Sequence, residues 1–444
     1  MPYPSRAPTR AINRRSFIAG SAALGLGGLS GCSTGRSADR LTFLVNHTNQ
    51  EAQLFQQVID RFVQSHPRLG IRVQVQNIAN GAQFYTKLRT VSVTHDLPDI
   101  WYARTLDTAF NVANHWQRSL TDRIRSEPTI EVGDMWPSQV RQMSVGDQQY
   151  SLPYDFSCYA IYYNKTMFAD AGIPRPDDEN WTWPDLFELA SAFGHRTGRR
   201  QDRWGFYFSL NDWLFDGIFR SNGGTLFSED GTRVTVGSPN NIDTMRQFIQ
   251  QLDNGNAPRS QTLGAAVDPF VSGLVAMAVN GSWASKQTRD QIGDRFDWDV
   301  LKLPKGSTGR RAVATAGGAW GISADSKNPD ACWELITHLS ARQQINTFIS
   351  EPLRGTPGRQ SSAADETRMA AKDDQPPHSF GIFAEQLRQD SYPVTYPSFW
   401  AEFETIWNNR TSALNAGARP EDVLVQVQQD SSAAARRYLS ESGK

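Results

Sequence analysis

The side chains of this sequence that could do chemistry are aromatic and amide groups rather than nucleophiles or metal ligands. The 444 residues include 13 Trp, 23 Phe and 12 Tyr. Many keep the spacing of core residues, but several stand beside Gly, Asn and Asp in turn-like segments, as in Asn280-Gly281-Ser282-Trp283. An aromatic face next to a few fixed polar groups is what holding a sugar requires. The C–H face of the ring packs on the aromatic, and the hydroxyls hydrogen-bond to side chains. Catalytic patterns are missing: no His-Glu-x-x-His, no Gly-x-Ser-x-Gly and no cysteine pair at zinc spacing. The 7 His are dispersed. The glycine-rich run 25–31 has no Walker lysine and is no phosphate cradle. Acid clusters such as Asp177-Asp178-Glu179 and Asp373-Asp374 sit in polar loops and read as solvated faces. No cofactor and no metal is expected.

The elements that must position these groups follow from periodicity. Leu41 to Val45 reads as a buried strand and Asn46 to Gln50 as a polar turn. Leu54, Phe55, Val58, Ile59, Phe62 and Val63 keep helical spacing up to His66-Pro67. Ile71, Val73 and Val75 alternate as a second strand, and Leu97 to Tyr102 reads as a third. Strand, helix, strand, helix, strand implies an α/β unit with a mainly parallel sheet. Ligands collect at the carboxyl ends of such strands, which places Asn46, His47, Asn49 and the Arg104–Asp107 segment at a candidate site. Further on, Tyr150 to Asn164 is strand-like and dense in aromatics. Thr182 can cap a helix from Trp183 to about Phe193 with Pro184 in its first turn. Gly205 to Phe208 and Ala316 to Ser323 read as strands, Pro329 and Pro420 start helices, and Ser361 to Ser379 reads as a polar, mobile connection.

The ends and the composition bound the class. Arg14 and Arg15 precede Ser16, Phe17 and Ile18 and a weakly apolar run to Leu29, the pattern of a secretory signal of twin-arginine type. The run is short for a membrane-spanning helix, which needs about 20 apolar residues. Leu29-Ser30-Gly31-Cys32 has the form of a bacterial lipobox, in which Cys32 becomes the lipid-modified first residue, and several acyl chains together anchor stably. Residues 33–40 then read as a polar tether. The chain beyond is long enough for two lobes. A net charge of −1 and a pI near 6.7 argue against a nucleic-acid partner. Cys158 and Cys332 read as two isolated buried thiols, with a disulfide the alternative in an oxidising compartment.

Several segments resemble the extracellular solute-binding proteins of ATP-binding-cassette importers, in the sugar-binding family that includes the maltodextrin-binding protein. They run in the family's order along nearly all of the mature chain. Phe62 to Pro67, Tyr85 to Leu88 and Leu97-Pro98-Asp99-Ile100 come first. Leu152-Pro153-Tyr154, Tyr162 to Lys165, Trp181 to Leu186 and Asn222-Gly223-Gly224 follow. Gly273 to Met277, Gly281-Ser282-Trp283, Gly317 to Ile322 and Ser326 to Ala331 complete the set. Each is weak alone; together, behind a lipoprotein signal, they specify the family but not one substrate.

The resemblance implies a two-lobe periplasmic-binding-protein fold of type II. Each lobe is a mixed, mainly parallel sheet flanked by helices, and several strands form the hinge. Expected crossings lie near Leu152–Ser157 and Leu301–Lys305, with a third connection near Arg354–Ala364. Residues 1–32 are then signal, 33–40 tether, 41–153 with 305–355 the first lobe, and 154–304 with 356–444 the second. Solute binds between lobes that close by hinge motion, and the partners are a small polar solute, a sugar on the leading reading, and the importer's membrane permease subunits; a monomer is expected. Position in the family pattern adds Tyr154, Asp155 and Ser157 on the first crossing, Asp212 with the stacking Trp213, Asn280 with the stacking Trp283, and Trp400. It also adds Gly317 and Gly318, where backbone would approach ligand, and Arg354. Bland readings stand beside these: the tryptophans as core, Arg104 paired with Asp107, His47 as a solvated turn residue, and Asp155 as a cap on the hinge backbone. The first-strand loop lacks the acid–lysine pair of the maltodextrin receptor, so maltodextrin is not the expected solute. Carbohydrate capture is the leading expectation. The alternatives are a glycerophosphodiester or other polar solute in the same fold, and an exported glycoside hydrolase using two of Asp107, Asp155 and Asp212.

Overall fold

The computed structural model describes residues 38–197, 200–263, 268–350, 355–370, 375–394 and 396–442. Arg14, Arg15, Cys32 and Arg354 therefore lie outside the described residues. The first sheet contains β1 (Arg40–Val45), β2 (Arg72–Asn77), β3 (Ile100–Arg104), β4 (Ser151–Pro153) and β11 (Gly318–Ile322) in the order β2-β1-β3-β11-β4. β1 is parallel to β2 and β3, and β11 is antiparallel to β3 and β4. β3 is the central strand, which is why Ile100-Trp101-Tyr102-Ala103 is an unbroken buried run rather than an alternating one.

Helix α1 (Asn49–Ser65) connects β1 to β2, and α2 (Gly81–Ser92) connects β2 to β3. Thr48 and Glu51 form a reciprocal capping box at the start of α1, and Phe55, Val58, Ile59 and Phe62 form its buried stripe. The helix stops at His66, before Pro67. This sharp start fixes the loop that carries Asn46 and His47.

The second sheet contains β5 (Ser157–Asn164), β6 (His195–Thr197), β7 (Arg200–Tyr207), β8 (Val275–Gly281), β9 (Trp298–Leu301) and β10 (Thr315–Ala316). Its order is β9-β5-β8-β7-β6, with β10 also paired to β5. The sheet is mixed, but β5 pairs antiparallel with β8, β9 and β10, and only β8 with β7 is parallel. The mainly parallel sheet of the sequence reading is thus confined to the β1–β3 side. β5 enters from a crossing rather than from a strand-helix unit, so nothing imposes parallel neighbours on it. Helix α3 (Trp183–Ser191) begins with a Thr182–Asp185 capping box and Pro184, as its sequence predicts. Helix α4 (Asp212–Ser221) is capped by Asn211. Near the carboxyl end lie α7 (Trp400–Asn415) and α8 (Pro420–Ser442), numbered after α5 (Pro239–Asp253) and α6 (Pro329–Leu339).

The Tyr150–Asn164 stretch is two strands, not one. Between Pro153 and Ser157 the chain leaves the first sheet for the second. It returns at Gly317, because β10 still pairs with β5 whereas β11 pairs with β3 and β4. The expected return at Leu301–Lys305 does not occur there. The Asp178 carboxylate accepts from the Lys302 N–H at 2.9 Å, the Gln386 side chain accepts from the Leu303 N–H at 2.9 Å, and Val313 bridges to Ser391. These contacts hold residues 302–316 on the second sheet's side. Residues 356–358 lie against the first crossing: the Phe156 N–H donates to Thr356 O and the Gly358 N–H to Tyr154 O.

The expected polar connection at Ser361–Ser379 is in part a helix, Gln360–Ala370. Its alanines favour helix, and the Asp134 carboxylate takes up the Ser361 N–H and hydroxyl at 2.9 and 2.7 Å. Cys158 and Cys332 are free, buried thiols in the separate cores of the two sheets. Among the described residues no helix is long and apolar enough to cross a membrane.

Asp99 shows how the first sheet is tied. It is 2% exposed; one carboxylate oxygen accepts from the N–H and hydroxyl of Thr42 at 2.8 and 2.9 Å, and the other accepts from Ser326 at 2.8 Å. Asp99→Ala strands a buried N–H and two hydroxyls and is expected to cost about 3 kcal/mol, measurable as a lower urea midpoint with an unchanged slope.

Candidate functional site

Three groups of side chains come together where the two sheets meet. The first stands at the carboxyl ends of β1 and β3. The Asn46 amide donates to Ile78 O and Ala79 O at 2.6 and 3.1 Å, and Asn49 accepts from the Asn77 amide at 3.1 Å. The Arg104 guanidinium donates to both carboxylate oxygens of Asp107, at 2.8 and 3.0 Å, and to both of Glu404, at 2.9 and 3.1 Å. Its flat face lies 4.4 Å from the ring centre of Tyr85. Arg104 belongs to the first sheet and Glu404 to α7, whose apolar face packs in the core of the second. A cavity of about 530 Å³ opens here, bounded by Asn46, Gly81, Tyr85, Thr86, Arg89, Tyr102, Arg104, Glu404, Thr405 and Asn408.

Burial raises the Asp107 pKa, and Arg104 works against that rise. Burial also pushes Glu404 upward, but Arg104 more than offsets it, so Glu404 titrates below the usual range. Burial pushes the Tyr85 phenol far above its ordinary value.

The second group is aromatic. Tyr159 on β5, Trp213 in the first turn of α4 and Trp283 after β8 have ring centres 4.3, 5.1 and 5.3 Å apart. Both tryptophans keep part of their surface exposed. The Tyr159 hydroxyl donates to Asn211 at 3.2 Å, and that same Asn211 oxygen caps α4. Asp212 is 1% exposed. Its Oδ1 accepts the Trp213 N–H at 2.8 Å, whereas Oδ2 is buried with no hydrogen-bond partner. Burial pushes its pKa up to about 7, and the Glu404 carboxylate adds to the rise while Arg104 opposes it. Asp212 thereby links the aromatic group to the charged one. Asn280, on the rim of β8, accepts the N–H of Gly281 at 2.9 Å.

The third group is the crossing itself. Asp155 Oδ1 accepts from the Tyr102 hydroxyl at 3.2 Å and from the Gly318 N–H at 2.6 Å, and its main-chain oxygen accepts from the Gln139 amide at 2.8 Å. Ser157 Oγ is buried without a hydrogen-bond partner. Among the described residues, no three His, Cys, Asp or Glu side chains converge as metal ligands.

The family profile described as bacterial extracellular solute-binding protein matches residues 47–345. The chain belongs to that family. Among curated relatives, the lactose-binding protein of Rhizobium radiobacter is 22% identical over 414 residues, covering 89% of this chain and 93% of that protein. The maltooligosaccharide ABC transporter solute-binding lipoprotein of Streptococcus pneumoniae is 23% identical over 202 residues, covering 44% of this chain and 46% of its own. Among solved structures, an ABC substrate-binding protein of Listeria monocytogenes in complex with cycloalternan superposes with a TM-score of 0.78 at 21% identity, covering 88% of this chain and 97% of that one. A cyclic maltosyl-maltose binding protein of Arthrobacter globiformis gives 0.72 at 19% identity, covering 90% and 99%. The solute-binding protein described here thus has the two-lobe type II fold.

Against that fold, several sequence expectations change. Trp400 is fully buried, with ring centres of Tyr396 and Phe403 at 4.3 and 5.4 Å, so it has no free face for a ligand to stack on. The His47 ring is 2% exposed and stacked on Phe55 at 5.0 Å, within a cluster that includes Tyr102 and the 6% exposed Tyr154. It is neither solvated nor laid open. Gly317 and Gly318 are dictated by the crossing: an added Cβ would lie 2.1 Å from Asp155 O and 1.8 Å from the Tyr102 ring, respectively. The Asp155 carboxylate caps hinge backbone, and Asp107 holds Arg104, so neither stands ready as half of a hydrolytic acid pair. Glu404, Tyr85 and Tyr159 were not singled out from sequence. Glu404 had a signal: it stands one helical turn beyond Trp400.

Arg104→Met leaves Asp107 and Glu404 facing each other unpaired, and is expected to cost about 3 kcal/mol at neutral pH. Orphaned buried acids have folded pKa values above their unfolded ones. Between those two values the folded state binds more protons, so acidification relatively stabilises the variant. The deficit should shrink from pH 7.5 to pH 5, as read by urea unfolding of both proteins.

Proposed function

We propose that this chain is the substrate-binding lipoprotein of an ATP-binding-cassette importer and that it captures a carbohydrate between its lobes. The observation that carries the reading is the partly exposed Tyr159–Trp213–Trp283 cluster beside the buried Asp212 carboxylate. Flat apolar faces next to a hydrogen-bond acceptor match the alternating C–H and O–H surfaces of a pyranose. The names of relatives, lactose-binding and multiple sugar-binding among them, support the same class. A glycerophosphodiester is less well served. The guanidinium that would meet its phosphate, Arg104, already holds two carboxylates.

On this reading the first lobe runs from residue 41 to the crossing at 154–156 and resumes at Gly317, while 157–316 and the carboxyl-terminal helices form the second. Arg104–Glu404 is a closing contact between the lobes. Export follows the Arg14-Arg15 signal, and Cys32 carries the lipid that keeps the protein beside its permease subunits as a monomer. The chain acts by binding rather than turnover.

A thermal-shift panel of mono- and oligosaccharides, sugar alcohols and glycerophosphodiesters tests the ligand class, since a ligand selective for the folded state raises Tm. At least one saccharide is expected to raise it; a shift by a phosphodiester and by no saccharide would overturn the reading. Trp283→Ala should remove the saccharide shift while the unliganded Tm stays within a few degrees. A shift that persists would place Trp283 outside the site. In cells, Cys32→Ser should abolish labelling by a fatty-acid precursor and release the protein from the membrane fraction.

A further inference from the structure

The charge of the cleft does not balance. Three buried or half-buried carboxylates, Asp107, Glu404 and Asp212, meet one guanidinium, Arg104, and its donors are taken by the first two. Arg89, at the rim of the cavity, is exposed, and its charge bears on Asp107 and Glu404 but is not among the groups bearing on Asp212. Asp212 is left with an unpartnered, buried Oδ2. A neutral sugar would offer that oxygen a hydroxyl and no charge, so Asp212 would either stay ionised without a counterion, which is costly in a desolvated place, or keep a proton.

Resting on the carbohydrate reading above, we propose that the preferred ligand is an aminated saccharide, whose ammonium group pairs with Asp212 Oδ2 and lies against the Tyr159–Trp213–Trp283 cluster. The aromatic part of the site fits this independently of the acids. A cation is attracted to the faces of Trp and Tyr when it lies within about 6 Å of a ring centre, and Trp213, which brings its ring to the cluster, is the neighbour of Asp212 in sequence. The saccharide ring supplies the apolar face for stacking, and the ammonium supplies the charge that the acids lack.

Protonation is coupled to such binding. Asp212 faces Glu404 and Arg104, and it also bears on Tyr159 and on Tyr396, which precedes α7. Burial and Glu404 keep its pKa near 7, so at pH 5 it holds a proton that the ammonium group must displace. Glu404 titrates low and stays ionised, and Arg104 stays charged. Affinity for an amine should therefore fall as pH falls from 7 to 5, by at most about tenfold per unit. Affinity for the neutral analogue should not fall with it.

Matched pairs test the proposal by titration calorimetry on the whole protein: glucosamine against glucose, galactosamine against galactose, mannosamine against mannose, and the glucosamine dimer against cellobiose. The expected result at pH 7 is that in at least one pair the amine binds tenfold or more tightly than its neutral partner. Binding should release protons, seen in buffers of different ionisation heat, and weaken at pH 5. In Asp212→Asn the ratio within that pair should collapse toward one. If the neutral members bind as well as or better than the amines, or if amine binding is independent of pH and releases no proton, the proposal is overturned and the carbohydrate reading stands. If no amine binds, the proposal is overturned and the thermal-shift panel decides the carbohydrate reading; if choline binds and no saccharide of either set does, both are overturned.

Discussion

Asp155 Oδ1 receives the Tyr102 hydroxyl and the Gly318 N–H, and this pair of hydrogen bonds stands where the chain changes sheets. Each bond ties the first crossing to a strand of the first sheet, to β3 through Tyr102 and to β11 through Gly318. The geometry leaves no room for a side chain at Gly317 or Gly318, since a Cβ would enter the Asp155 backbone or the Tyr102 ring. Three passes of chain are thereby packed against one another at 154–156, 317 and 355–358. Strands of both sheets begin or end at these passes, so the crossing fixes how the two sheets are joined.

The charged cluster depends on the crossing in turn. β3 delivers Arg104 one step beyond the strand's last buried residues, and α7 delivers Glu404 from the other side. Arg104 satisfies both acids with paired, planar hydrogen bonds, which is the geometry a guanidinium is suited to. The exposure is intermediate, 25% for Arg104 and 27% for Glu404. At such a depth the pair is only partly shielded, and water keeps access to it.

Much of the fold was legible because it rested on local chemistry. The Thr48 and Thr182 capping boxes, the prolines at 184, 329 and 420, and the apolar stripe of α1 need only neighbours in sequence. The family segments then supplied the two-lobe fold. What sequence could not show depended on distant partners. The return to the first sheet at Gly317 was set by Asp178 and Gln386, and the helix at Gln360–Ala370 was anchored by Asp134. Trp400 looked like a ligand platform beside its Ser and Phe neighbours, yet Tyr396 and Phe403 enclose it. The partners that give Arg104 its role lie three positions away in one case and 300 in the other, and only the nearer could be read.

That separation of 300 positions has a consequence for how the molecule matures. Contacts between distant parts of a chain form after local ones, because closing a long loop costs entropy before the contact returns anything. The cleft is assembled from both ends of such a loop, so it is among the last parts of the molecule to take shape. A chain whose two cores are still separate has no place to hold a solute. Occupancy of the cleft is then a certificate of completed folding, and a chain that binds has, by that act, passed inspection.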